Sequence, residues 1–174
     1  TVSEVHKGRG GRALDTEIVG KNGASRDRHI LIAVDESDNA RRALLYAADF
    51  LGGVPGFRVS LLSIVPEPSD DYFNTDQERS QWVDDQRAKA EKTLGKYREV
   101  LIQSGFAENK VDTLVDVKKC PSVAECILDE QKKLGCCTVV VGRRGITKKE
   151  EFIFGSTSSK LLHAPKNCAV WVIE

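Results

Sequence analysis

Three glycines and the side chains around them carry the most legible chemistry in this chain. Gly142-Arg143-Arg144-Gly145 is followed, after nine intervening residues, by Gly155-Ser156. Glycine lets backbone N–H groups approach an anion closely. A helix beginning at Ser156 adds unpaired N–H donors and a positive dipole end. Ser156, Thr157 and Ser158 add hydroxyls, and Arg143, Arg144, Lys148 and Lys149 add positive charge. Together these groups favour a phosphate chain. One dipole contributes only about 0.3–1 kcal/mol, so affinity has to come from several contacts and from burial of a base. Asp35 would repel phosphate and is expected at the other end of a ligand, accepting hydrogen bonds from ribose hydroxyls. Ala33, Val34 and Ser37 surround it in sequence, and Ile64 and Val65 offer an apolar wall for the base. A Mg²⁺ ion would be held mainly by phosphates and water. The plainer alternatives are a flexible connecting loop, a helix-capping Asp35 and a solvated basic face.

The elements that must position these residues follow from periodicity. Ile30 to Val34 is a short apolar run suited to a buried strand. Ser37 can cap a helix in which Ala40, Ala43, Leu44, Ala47 and Leu51 recur at helical spacing, with Gly52 and Gly53 as the stop. Phe57 to Val65 reads as a second strand. A long helix spans about 76–103, with Trp82, Ala90, Leu94, Tyr97 and Leu101 on one face. Val111 to Val117 alternates and suits an edge strand. The next helix opens either at Pro121 or one residue later through a Ser122/Glu125 capping box, and Gly135 closes it. Thr138 to Val141, a helix from Ser156 to His163, and Cys168 to Ile173 complete the series. Alternating strands and helices imply an α/β fold, a five-stranded parallel sheet with helices on both faces. The order 3-2-1-4-5 puts the continuously apolar strands at the centre and the alternating one at an edge. The order 2-1-3-4-5 would bury the alternating strand. In the preferred order Asp35 and the glycine segment flank the switch point, where open α/β sheets bind ligands.

Bulk properties narrow the classes. The chain has 174 residues, with 26 basic against 26 acidic, so a general nucleic-acid partner is not expected. No run is long enough to span a membrane, no secretory h-region is present, and a cytoplasmic location is expected. Residues 1–27 lack periodicity and read as a flexible arm or linker ahead of a domain over 28–174. The absence of methionine fits a processed or excised segment. The five cysteines lack zinc spacing and are read as reduced, mostly packed thiols, with a redox role open to Cys136 or Cys137. His163 is read as structural, and Trp82 as core or partner surface. There is no G-x4-GK[ST] loop, no G-x-G-x-x-G after the first strand, and no Ser-His-Asp arrangement.

Gly142-x2-Gly145-x9-Gly155-Ser156 resembles the G-x2-G-x9-G-[ST] signature of ATP-binding universal stress proteins. Ile30-Leu31-Ile32-Ala33-Val34-Asp35-x-Ser37 is similar to the family's first strand. His163-Ala164-Pro165 before an apolar strand is similar to its end. The resemblance covers about 28–174 and implies an adenine nucleotide alpha hydrolase-like, Rossmann-like sheet that binds ATP, ADP or AMP. It implies roles for Asp35 at the ribose, Ile64 or Val65 at adenine, Gly142 and Gly145 in the phosphate and ribose loop, and Gly155 with Ser156 at the phosphates. Arg143 and Arg144 depart from the family's small residues or histidine there. A homodimer is implied too, and the apolar edge strand Cys168–Ile173 would be covered by it. The expected function is a nucleotide-dependent regulatory module in stress response. The alternatives are a slow ATPase or self-phosphorylating enzyme acting on Ser156 or Ser158, and a nucleotide-free interaction protein.

Overall fold

The computed structural model describes residues 27–143, 156–164 and 167–174. The expected N-terminal arm lies outside them, except for Asp27, which pairs with Lys110. Arg144, Gly145, Lys148, Lys149 and Gly155 also lie outside.

The chain runs β1 (Arg28–Ala33), α1 (Asp38–Leu51), β2 (Phe57–Pro66), α2 (Asp76–Gln103), β3 (Val111–Lys118), α3 (Val123–Leu134), β4 (Thr138–Gly142), α4 (Ser156–His163) and β5 (Ala169–Ile173). The strands form one parallel sheet in the order β3-β2-β1-β4-β5. The order follows from burial. Ile30, Leu31, Ile32, Leu61, Leu62, Val139 and Val140 are at most 1% exposed, because β1, β2 and β4 are covered on both faces. Asp112 and Thr113 of β3, on opposite faces, are both exposed, as suits a strand at the edge of the sheet.

Two cores lie on opposite faces. Leu44, Ala47 and Leu51 of α1 pack with Leu94 and Leu101 of α2 over Ile30, Ile32, Val59 and Val140. Ile127 and Leu128 of α3 pack with Leu161 of α4 over Leu31, Leu62, Val139 and Val141. Among the described residues no helix is long and apolar enough to cross a membrane.

Local chemistry sets the helix ends. Ser37 Oγ accepts the Ala40 N–H at 3.2 Å. Thr75 accepts the Glu78 N–H at 3.1 Å, while the Glu78 carboxylate reaches back to the Asn74 N–H at 2.9 Å. At α3 the capping box prevails over Pro121. Ser122 Oγ accepts the Glu125 N–H at 3.3 Å and its hydroxyl donates to the Glu125 carboxylate at 2.9 Å, leaving Pro121 outside the helix. Gly135 closes α3 at φ 65°, where a side chain would be strained.

One expectation is corrected. Cys120 and Cys126 form a disulfide with Cα atoms 6.1 Å apart. The end of β3 and the first turn of α3 bring them together, a juxtaposition that spacing alone does not reveal. Cys136 and Cys137, the two thiols to which a redox role was open, differ in setting. Cys136 is 2% exposed, and burial pushes its thiol up to about 12, so no appreciable thiolate forms near neutrality. Cys137 is exposed and its thiol donates to the His29 carbonyl.

Candidate functional site

A cleft of about 410 Å³ opens at the carboxyl ends of β1, β2 and β4. That lies within the roughly 300–1,000 Å³ typical of small-molecule sites. It sits where β1 is flanked by β2 on one side and β4 on the other, the switch point of this topology.

The segment after β1 forms one wall. Ala33, Val34, Asp35, Glu36 and Ser37 all line the cleft, followed by Ala40 of α1. Val34 is held there by its N–H donating to the Leu62 carbonyl at 2.8 Å. Asp35 accepts the Ser37 N–H at 2.9 Å, so its carboxylate also shapes the turn into α1. The end of β2 forms a second wall with Ser63, Ile64, Val65 and Pro66. Thr157 and Ser158, in the first turn of α4, line the opposite side.

Gly142 is where β4 meets α1. A Cβ there would overlap the Asn39 carbonyl group and approach Ala40 N to 2.6 Å. The missing side chain therefore lets the start of α1 rest on the end of β4. This is a packing requirement as well as a loop signal, and it brings the Asp35 segment beside the residue that opens the glycine loop.

The structure thus brings together Ala33, Val34, Asp35, Ser37, Ile64, Val65, Gly142, Thr157 and Ser158 around one cleft. Arg143 is placed differently. Its N–H donates to the Ile173 carbonyl at 2.6 Å, and its guanidinium pairs with Glu174, away from the cleft lining. Ser156 begins α4. Arg144, Gly145 and Gly155 lie outside the described residues.

Sequence reasoning missed an entire wall. Gln86, Lys89, Ala90 and Thr93 of α2 line the cleft, as do Val123 and Ile127 of α3. The signal was present. Positions 86, 89, 90 and 93 share a helix face, beside the apolar stripe that packs on the sheet. The electrostatics of this wall are mixed. Lys89 brings a cation, and Tyr97 lies one turn beyond Thr93. Burial first, and then the Asp35 carboxylate, raise the Tyr97 phenol above its usual range.

The α3 wall has its own support. The Cys120–Cys126 disulfide brackets Val123. Glu130, 8% exposed in its side chain, is clamped by Lys133 at 2.5 Å and Lys118 at 3.3 Å. Burial would raise its carboxyl, but the hydrogen bonds from Lys133 and Lys118 outweigh that and leave it below the usual carboxylate range. The Glu130–Lys118 pair ties α3 to β3. At the end of α4, His163 Nδ1 donates to the Ser159 carbonyl at 2.8 Å, a helix-internal role. Among the described residues no group of His, Cys, Asp and Glu is arranged to hold a metal ion.

The model of the universal stress protein family matches residues 27–174. No curated protein sequence matches. Among solved structures, universal stress protein UspA from Lactobacillus plantarum is 24% identical with a TM-score of 0.66, covering 86% of this chain and 99% of that one. A universal stress protein from Archaeoglobus fulgidus in complex with dAMP is 20% identical with a TM-score of 0.55, covering 87% and 100%. A universal stress protein in complex with cAMP is 14% identical with a TM-score of 0.60, covering 84% and 97%.

Proposed function

The chain belongs to the universal stress protein family, and from that premise we propose that it binds an adenine nucleotide, ATP first among them, in the cleft between β1 and β4. In this reading the bound nucleotide stabilises one state of a regulatory module in stress response. The observation that carries it is the convergence on one cleft of Asp35, the apolar residues Ile64 and Val65, and the α4 residues Thr157 and Ser158. Asp35 accepts from the ribose hydroxyls. Ile64 and Val65 cover a face of the base. Gly142, Gly145, Gly155 and the start of α4 at Ser156 receive the phosphates, with Arg144 close in sequence and any Mg²⁺ held through phosphate oxygens and water. The dAMP and cAMP held by two fold relatives support an adenine nucleotide as the ligand class.

The same reading includes a twofold homodimer paired along β5. This strand hydrogen-bonds only to β4 among the described strands. Trp171 stands against Phe50, ring centroids 5.9 Å apart, and Phe50 stacks on Tyr46 at 5.9 Å. Phe50 is 59% exposed, so this aromatic row continues the edge onto α1 and favours a second copy there.

Mg-ATP at about a thousand times its Kd should stabilise the fold by roughly 4 kcal/mol, read as a rise in Tm. Asp35→Asn keeps an acceptor for the Ser37 N–H but removes the charge. It should weaken ATP roughly tenfold in titration calorimetry, in line with a charge-assisted hydrogen bond worth about 1.5–3 kcal/mol. A Tm unmoved by ATP, ADP and AMP alike would overturn the reading.

A further inference from the structure

We propose that Gln86 selects the base of the nucleotide, its carboxamide pairing with the amino and N7 edge of adenine. The inference rests on the nucleotide reading and adds a selectivity residue on α2, an element with no part in the glycine signature.

Position comes first. α2 runs back along the sheet, antiparallel to β2 and β3. Arg79 near its start meets Glu67, just past β2, at 2.6 Å. Arg98 near its end donates to the carbonyls of Val111 and Glu108, at the start of β3. Between them, Arg87 donates to the Val115 carbonyl at 3.4 Å, and Val115 is the register partner of Ser63. Gln86 therefore stands at the level of Ser63, Ile64 and Val65, the end of the cleft assigned to the base, and it lines that cleft.

Chemistry comes second. Ile64 and Val65 can cover a ring face, but their side chains cannot read an edge. Lys89 only donates. Thr93 lies two helical turns on, toward the start of β3 and away from the level of Ile64 and Val65. Gln86 carries a donor and an acceptor side by side. It is half-buried, and it has no hydrogen-bond partner among the described residues. A carboxamide matches the amino donor and N7 acceptor of adenine in a bidentate pair. Hypoxanthine and guanine present two acceptors, N7 and O6, at the same edge, and the carboxamide oxygen would then face a carbonyl oxygen.

The anchoring of α2 makes the placement firm. Arg79 on Glu67 and the tilted Phe73–Trp82 ring pair, with centroids 5.8 Å apart, hold the turns preceding Gln86 against the β2 exit.

The test is calorimetric titration of the wild type, Gln86→Met and Gln86→Glu with Mg-ATP and Mg-ITP, with helix content checked by circular dichroism. The wild type should prefer ATP over ITP by roughly tenfold or more. Gln86→Met should weaken ATP by roughly that factor and leave ITP within about threefold, bringing the ratio near one. Gln86→Glu, which lacks the donor, should also lose the preference. A wild type that binds ATP and ITP equally, a ratio unchanged by Gln86→Met, or equal weakening of both ligands would overturn the role of Gln86 while leaving nucleotide binding intact. A wild type that binds neither ligand would overturn the nucleotide reading itself.

Discussion

The two ends of the sheet are built from the same strands and treat their polar groups in opposite ways. At the amino end, polar groups meet one another. His29 Nδ1 donates to the Leu134 carbonyl at 3.2 Å, which fixes the proton on that nitrogen. Nε2 then accepts from the Ser60 hydroxyl at 2.8 Å. The His29 carbonyl takes the Cys137 N–H at 2.9 Å. Nearby, α1 and α2 finish backbone against backbone. Gly105 sits at φ 111°, and a Cβ there would lie 2.7 Å from Gly53 N. At the carboxyl end Gly142 and Asn39 touch as closely, and beyond them the walls part around Asp35, Gln86 and Lys89. Pairing of polar groups at one end stabilises the fold, because buried polar groups left unpaired are costly, and Arg58 Nε is the exception there among the described residues. At the other end polar groups face a cleft instead.

The largest effects should come from close backbone contacts, one at each end. Gly142→Ala and Gly105→Ala should each cost roughly 3 kcal/mol, at the upper end of overpacking changes, measured by urea unfolding. They should differ in ligand binding. Gly142→Ala displaces the start of α1 and should also weaken ATP, whereas Gly105→Ala should leave the affinity of the folded fraction unchanged. Equal effects on binding would erase the contrast between the ends.

Next in size is the disulfide. Replacing Cys120 and Cys126 by serine opens a short loop and should cost about 2 kcal/mol on the chain-entropy account. The loss should appear as a lower Tm under non-reducing conditions and vanish when both proteins are measured in dithiothreitol.

The smallest effect is a pH dependence seated at the closed end. Burial, and then the charge of Arg58, lower the His29 pKa below its usual 6.5. The unfolded chain therefore binds this proton more readily than the folded one. The contribution of His29 is complete above the unfolded pKa and is lost as pH falls through the folded value. Unfolding free energy should decline below about pH 6.5, and His29→Gln should flatten that part of the profile. A profile unchanged by the substitution would assign the acid sensitivity elsewhere, with Glu130 and its lysines as the next candidate at lower pH.

Much of the fold was legible because its signals are local. Continuous apolar runs marked β1, β2 and β4, alternation marked β3 as an edge, and Ser37, Gly135 and the Ser122/Glu125 pair marked helix ends. On the site, the wall after β1 and the end of β2 followed from strand ends and the switch-point rule. Gln86, Lys89 and Thr93 share a helix face in the sequence, but that this face meets the cleft depends on how α2 lies across β2 and β3, a tertiary fact. Arg143 shows the converse. Its charge and position in the glycine segment suggested an anion ligand, but strand pairing with β5 turns it toward Glu174. The Cys120–Cys126 bond was hidden for the same reason as α2, since only the β3–α3 corner makes those thiols neighbours.

α1 is a rod of 14 residues, about 21 Å long at 1.5 Å per residue. Its first turn is seated on Gly142 at the mouth of the cleft, and its last turns carry Phe50 against Trp171, with Tyr46 stacked on Phe50. Pressure applied at the aromatic row is thus delivered along a stiff lever to the cleft's own margin. If occupancy shifts that lever, then by reciprocity whatever grips its far end must shift occupancy by the same free energy.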